Sequence, residues 1–166
     1  MIFIESNAAE VAKSLDMSTR ELRVVLQSAL GEIGKRITQD YEKTTRTWNH
    51  KPRFLTEVNT RSGQYEVMVG TDDEIYGYVD QGTRAHEIRA KNAKYLRFWS
   101  KSTPKTTPGH IGSGAGSKGG DLTFRQRVWH PGTKARRFSE QIQKKAEKYA
   151  RYIIEKRLNR WTKKTR

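Results

Sequence analysis

The sequence predicts one α+β domain spanning residues 1–166: an antiparallel meander of strands with a long N-terminal helix and a long basic C-terminal helix packed on it. Three observations predict it. Apolar residues at spacings of three and four mark a long amphipathic segment at each end of the chain. Short alternating stretches, punctuated by Gly, Pro and Asp, fill the middle. Between two of these stretches, residues 101–120 turn to Ser, Thr, Pro, Gly and Lys, the composition of a hairpin arm.

The elements follow in order. Residues 6–15 suit a short helix. Ser18-Thr-Arg-Glu21 has the form of a capping box. Behind it, Leu22, Val25, Leu26, Ala29, Leu30, Ile33, Ile37 and Tyr41 form one wide stripe, predicting a helix over about 18–45. Gly31 and Gly34 each cost about 1 kcal/mol inside a helix, which points to close packing of another element there. Pro52 marks a break. Residues 54–59 and 64–69 flank Arg61-Ser-Gly63 as a β-hairpin, with Tyr65, Val67 and Val69 on one face and Glu66 and Met68 on the other. After a turn at 70–73, Ile75-Tyr-Gly-Tyr-Val79 reads as a strand, followed by a turn at Gly82-Thr83. Residues 85–89 and 95–99 are further short strands. Within the 101–120 stretch, Gly112-Ser-Gly-Ala-Gly-Ser-Lys-Gly-Gly120 cannot hold a fixed fold alone, and the strand resuming at 121–129 makes residues 101–120 an arm or loop at the tip of a long hairpin. His130-Pro-Gly-Thr133 ends that strand. A second long helix follows at about 136–162, its stripe formed by Phe138, Ile142, Ala146, Tyr149 and Ile153, with Ile154, Leu158 and Trp161 drifting beside it.

Composition bounds the function. Apolar residues make up 34% of the chain, so the core is small and part of the chain is expected to be arm or subunit interface. The absence of cysteine excludes disulfides, thiolate nucleophiles and Cys-based metal centres. No apolar run reaches the roughly 18–20 residues that span a bilayer, and Met1-Ile-Phe-Ile-Glu5 is too short for a signal peptide. A soluble protein made inside the cell is expected, with no membrane partner. The formal charge is +15, and residues 123–166 hold 15 Lys and Arg against three acids, a net of +12. Such a block favours an acidic partner, nucleic acid or protein. A merely solvated helix face is the plainer alternative.

Catalytic patterns are weak. Gly116-Ser-Lys-Gly119 lacks the Gly-Lys-Ser/Thr order of a phosphate-binding loop. The histidines at 50, 86, 110 and 130 lack metal-motif spacing, although His86 and His130 can still meet in space. Asp72, Asp73, Glu74, Asp80 and Glu87 offer carboxylates for a magnesium nuclease. Glu87-Ile-Arg89 places Arg where such sites use Lys, and a guanidinium cannot serve as a base. No enzyme, cofactor or metal is expected. Lys94-Tyr-Leu-Arg-Phe-Trp99 and Phe124-Arg-Gln-Arg-Val-Trp129 interleave cations with aromatics, as nucleic-acid surfaces do. In alternating strands the same aromatics, Tyr95, Phe98, Trp99, Phe124 and Trp129, more often serve packing. Arg125, Arg127, Lys144, Lys145, Lys148 and Arg151 are the candidate contacts to DNA or an acidic partner.

Ile75-Tyr-Gly-Tyr-Val-Asp-Gln-Gly-Thr-Arg84, followed by His130-Pro-Gly-Thr-Lys-Ala-Arg-Arg-Phe138 and a long helix, resembles the tail-completion or head–tail joining family of long-tailed bacteriophages. The resemblance covers about residues 18–160. This chain departs from the family pattern in carrying Arg136-Arg137 before the Phe of the second motif, and in its longer Gly/Ser arm. The resemblance implies a virion structural protein of the neck, without enzymatic activity, made in the host cytoplasm. It implies a homo-oligomeric ring around the DNA channel, with head connector or stopper proteins and tail tube or tail terminator proteins as partners. Tyr78, Gly82, Thr83, Lys105, His110, Lys118, His130 and Gly132 are then the candidate subunit and partner contacts. Gly82 and Gly132 permit the positive φ of tight turns, Pro131 helps stop the strand, and Thr83 and Thr133 can close the turns through their hydroxyls. A free, sequence-independent nucleic-acid-binding protein is the competing reading.

Overall fold

A computed structural model of the chain describes residues 2–5, 20–61 and 64–164. The elements are β1 (Ile2–Glu5), α1 (Arg20–Thr45), β2 (Leu55–Arg61), β3 (Gln64–Gly70), α2 (Glu74–Gln81), β4 (His86–Arg89), β5 (Leu96–Thr103), β6 (Ser117–Arg125), β7 (Arg127–His130) and α3 (Phe138–Lys164). This is a mixed fold of helices and antiparallel sheet, with a long helix toward each end. The expected helix at 6–15, Ser18 of the capping box and the turn at 62–63 lie outside the described residues.

The chain forms two compact units. Unit one comprises Met1–Glu42, Arg53–Thr71 and Ser139–Arg166; unit two comprises Lys43–Pro52 and Asp72–Phe138. In unit one the strands run in the order β1-β3-β2, all antiparallel. Leu22, Leu26, Leu30, Ile33 and Ile37 of α1 are buried, as are Tyr65, Val67 and Val69 of β3, so the stripe and the strand alternation both face the core. Helix α1 meets the sheet at Gly34, where an added Cβ would stand 2.7 Å from Thr56 Cγ2 and 3.0 Å from Val67 Cγ2. Gly31 has open space instead. Gly31→Ala is therefore expected to stabilise the chain by about 1 kcal/mol through helix propensity alone. Gly34→Ala should lower the melting midpoint, because the Val67 methyl it would press is fully buried. A pair of thermal melts followed by circular dichroism checks both signs.

Helix α3 buries Ile142, Ala146, Ala150, Ile153, Ile154 and Leu158. Tyr149 and Trp161, placed on its stripe by spacing, are only half-buried, and Ala150 takes a core position that its small side chain hardly signals. Lys145 and Arg157 of α3 reach Asp40 and Glu32 of α1, both at 2.8 Å.

Three expectations are corrected. The strands do not form one meander: among the described residues β4 pairs with β7 alone and β5 with β6 alone, giving two separate ribbons in unit two. The expected strand at 121–129 is divided at Gln126, where the chain bends and changes partner. Gln126 O accepts from Ala90 N at 3.0 Å at that corner. Residues 75–79 are helical rather than extended. Asp73 caps α2, its Oδ1 accepting from Tyr76 N at 2.7 Å, and this local bond outweighs the strand-like composition of Ile75-Tyr-Gly-Tyr-Val79.

The 101–120 stretch has a defined path. Its ends lengthen β5 and β6, with Lys101 opposite Gly119 and Thr103 opposite Ser117. A bulge follows Trp99, where Ser100 Oγ accepts from Asp121 N at 2.9 Å beside Gly120 at φ +72°. The tip returns to the start of unit two. Ser113 Oγ accepts from Thr47 N at 3.1 Å, Lys105 Nζ donates to Thr47 O, and Gly114 N donates to Lys105 O at 2.7 Å. Glycine and serine allow this path because the bonds run through backbone groups and short hydroxyls.

Candidate functional site

The two Gly-Thr motifs, 50 residues apart in sequence, are one structure. Thr83 and Thr133 form an isolated antiparallel bridge, Thr83 N donating to Thr133 O at 3.0 Å and Thr133 N donating to Thr83 O at 3.2 Å. Thr83 Oγ1 also accepts from Thr133 N at 2.9 Å, so the hydroxyl closes the partner motif and not its own turn. Gly82 and Gly132 adopt φ +79° and +92°. Each is also confined: a Cβ on Gly82 would lie 2.6 Å from Thr133 O, and one on Gly132 would lie 2.3 Å from Thr83 O.

The same clasp caps α2. The carbonyls of its last turn have no partner within the helix. Arg136 N donates to Val79 O at 3.1 Å and Arg137 N to Asp80 O at 2.9 Å, so the second motif satisfies the end of the helix that the first motif leaves. The Arg136-Arg137 pair has a structural use. Arg136 is 7% exposed, its Nε donating to Thr106 Oγ1 at 3.2 Å and its Nη1 to Lys134 O at 2.7 Å. Arg137 holds φ +53°.

His86 and His130 meet across β4 and β7, ring centroids 5.3 Å apart. His86 Nδ1 lies 2.8 Å from Arg84 O, and His130 Nδ1 accepts from Gly132 N at 3.1 Å. With Nδ1 accepting, the neutral His130 ring carries its proton on Nε2, leaving no lone pair there for a metal. Among the described residues, no group of three or more His, Asp or Glu is placed to hold a metal ion. A pairing that spacing did not signal joins His50 Nε2 to Asp73 Oδ2. Burial raises the Asp73 carboxyl, but the bonds from His50 and the Tyr76 amide prevail and hold it below its ordinary value.

The aromatics of the two ribbons face outward. Trp129 is 71% exposed, Phe124 53%, Tyr95 43% and Trp99 41%. The packing role expected for them is corrected, Phe98 being half-buried. A two-stranded ribbon supplies one layer, and a core needs two. Arg89 and Arg127 stand directly opposite each other, with Glu87 at 2.6 Å and 3.7 Å from them.

The remaining candidates divide. Tyr78 is 55% exposed on α2, and His110, Lys118, Arg125, Lys144, Lys148 and Arg151 are exposed. Gly82, Thr83, His130 and Gly132 spend their backbone or ring groups within the clasp. Lys105 is committed to Thr47 O. Lys145 pairs within the chain, with Asp40, which is 3% exposed. Lys145→Met should destabilise the chain by about 1–3 kcal/mol and leave its retention on a polyanion column unchanged. Neutralising Lys144, Lys148 and Arg151 should reverse that pattern, the reduced slope of retention against salt being the readout.

Comparison with protein families, with curated proteins and with solved structures finds no match to this chain.

Proposed function

We propose that the chain is a structural subunit of a bacteriophage neck, joining head connector to tail as a homo-oligomeric ring around the DNA channel. The observation that carries this reading is the outward placement of large apolar side chains over a small interior. Trp129, Phe124, Tyr78 and Leu55 are each more than half exposed, the state of a surface that neighbours complete. The mutual bridge of the two Gly-Thr motifs supports it further, because the residues that carry the resemblance serve one scaffold element.

Cryo-electron microscopy of intact particles tests the reading. A ring of this chain at the head–tail junction is the expected result; absence of the chain from the particle overturns it. The second reading, a free nucleic-acid-binding protein, draws on the same exposed aromatics interleaved with Arg97, Arg125 and Arg127. It requires steeply salt-dependent DNA binding by the isolated chain.

A further inference from the structure

Among the described residues, two sheet faces of this chain carry opposite charge. In unit one, Tyr65, Val67 and Val69 are buried, so Glu66 and Met68 lie on the other face of β3. The ladder brings Glu57 opposite Met68 and Leu55 opposite Gly70 on that face, with Leu55 55% exposed. β3 contains no Lys or Arg, and the one cation of β2, Arg61, stands at the strand's end opposite Gln64.

In unit two, the β5–β6 ribbon sets Arg97 opposite Phe124 and Trp99 opposite Leu122, and Lys101 continues the same face past the bulge. Arg97, Trp99, Lys101 and Phe124 are all exposed. No acid occurs in β5, and Asp121, the acid of β6, falls at the bulge in the position alternate to Leu122.

We infer that the β5–β6 face of one copy docks on the β1-β3-β2 face of the next. Trp99 and Phe124 cover Leu55 and Met68, while Arg97 and Lys101 meet Glu57 and Glu66. The inference rests on the ring reading above and names its two surfaces. Charge selects this occupant. A ribbon face against its own copy sets Arg97 and Lys101 against like charge, and a sheet face against its own copy opposes Glu57 and Glu66. A symmetric dimer through either face is therefore disfavoured. Two different complementary patches on one chain make a head-to-tail contact that repeats, closing into a ring or running into a filament. DNA would satisfy the ribbon and leave the acidic face unexplained.

Mixing of charge-reversed full-length chains, followed by sedimentation velocity, tests this. One variant carries Arg97→Glu with Lys101→Glu; the other carries Glu57→Lys with Glu66→Lys. Each alone should self-associate at least about tenfold more weakly than the parent. The mixture should recover oligomers, because both junctions of an alternating assembly are again complementary. Glu57, Arg97 and Lys101 are exposed and Glu66 is half-buried, and circular dichroism melts confirm folding. Association of either variant at the parent level, a mixture that stays monomeric, or a parent that is monomeric at millimolar concentration overturns the inference. Loss of duplex-DNA retention by the first variant with self-association intact overturns it in favour of nucleic acid. The ring reading is judged separately: a ring in the particle whose contacts lie on other surfaces keeps that reading and rejects this one.

Discussion

Gly132→Ala is expected to destabilise the chain by about 3 kcal/mol, lowering the melting midpoint by roughly 6–12 °C. Two costs add. The backbone sits at φ +92°, which L side chains rarely adopt, and the new methyl would lie 2.3 Å from Thr83 O. Relief requires moving Thr83, and moving Thr83 loosens both bonds of its bridge to Thr133. The bonds from Arg136 and Arg137 that cap α2 lie on the same segment. Gly109→Ala separates the two costs. Gly109 has a similar φ of +80° but open space around it, so only the backbone penalty of about 1 kcal/mol applies. Equal losses for the two variants would mean that the clasp yields without resistance.

The fold was legible where a period repeats and where a residue has one use. Leu22 through Tyr41 repeat their spacing over about five turns, and no other element accommodates that pattern. Gly34 was readable as a close approach, because glycine is costly in a helix unless something needs the space; Gly31, of the same type three residues earlier, meets nothing. Helix α2 was not legible. Its sequence favours a strand by side-chain type, and the deciding bond comes from Asp73, which composition alone places in a turn. The division of 121–129 between two ribbons was hidden for a related reason. Alternation reports which face a residue occupies but not which strand lies beside it. The positive-φ glycines of both Gly-Thr motifs were legible singly, while their pairing is a tertiary fact that neither motif contains.

Charge reads differently in three dimensions. By sequence, most of the surplus belongs to the last quarter of the chain. In unit one, part of it is answered by α1. Arg157 bonds Glu32 and holds that carboxyl below its ordinary value against the opposing effect of burial, with Arg36 assisting. Lys145 pairs with Asp40 at 2.8 Å. Exposed cations stand beside exposed aromatics in the ribbons as well as at Lys156 and Tyr152 of α3. A chain-level surplus thus marks where cations are numerous, whereas burial marks which of them remain available to a partner.

Phe138→Ala is expected to cost about 3–5 kcal/mol, because unit two has little else to fill its interior. Phe138 is fully buried, its ring 6.0 Å from that of Tyr76. Tyr76 in turn lies 6.1 Å from Trp48 and accepts from Thr44 Oγ1 at 3.3 Å. The other fully or nearly buried groups of this unit are largely polar, including Thr106 and Arg136, and they hold their place through hydrogen bonds and not through packing. Removing the ring leaves a cavity beside polar groups that cannot collapse into it without breaking those bonds. Phe138→Leu retains most of the volume and should cost only about 1–1.5 kcal/mol. Thermal melts give the stabilities, and hydrogen exchange locates the loss. The Thr83, Thr133, Arg136 and Arg137 amides should exchange faster in Phe138→Ala than in Phe138→Leu. Unchanged protection at these four amides would mean that the clasp stands without the aromatic cluster, and that Phe138 matters only as the start of α3.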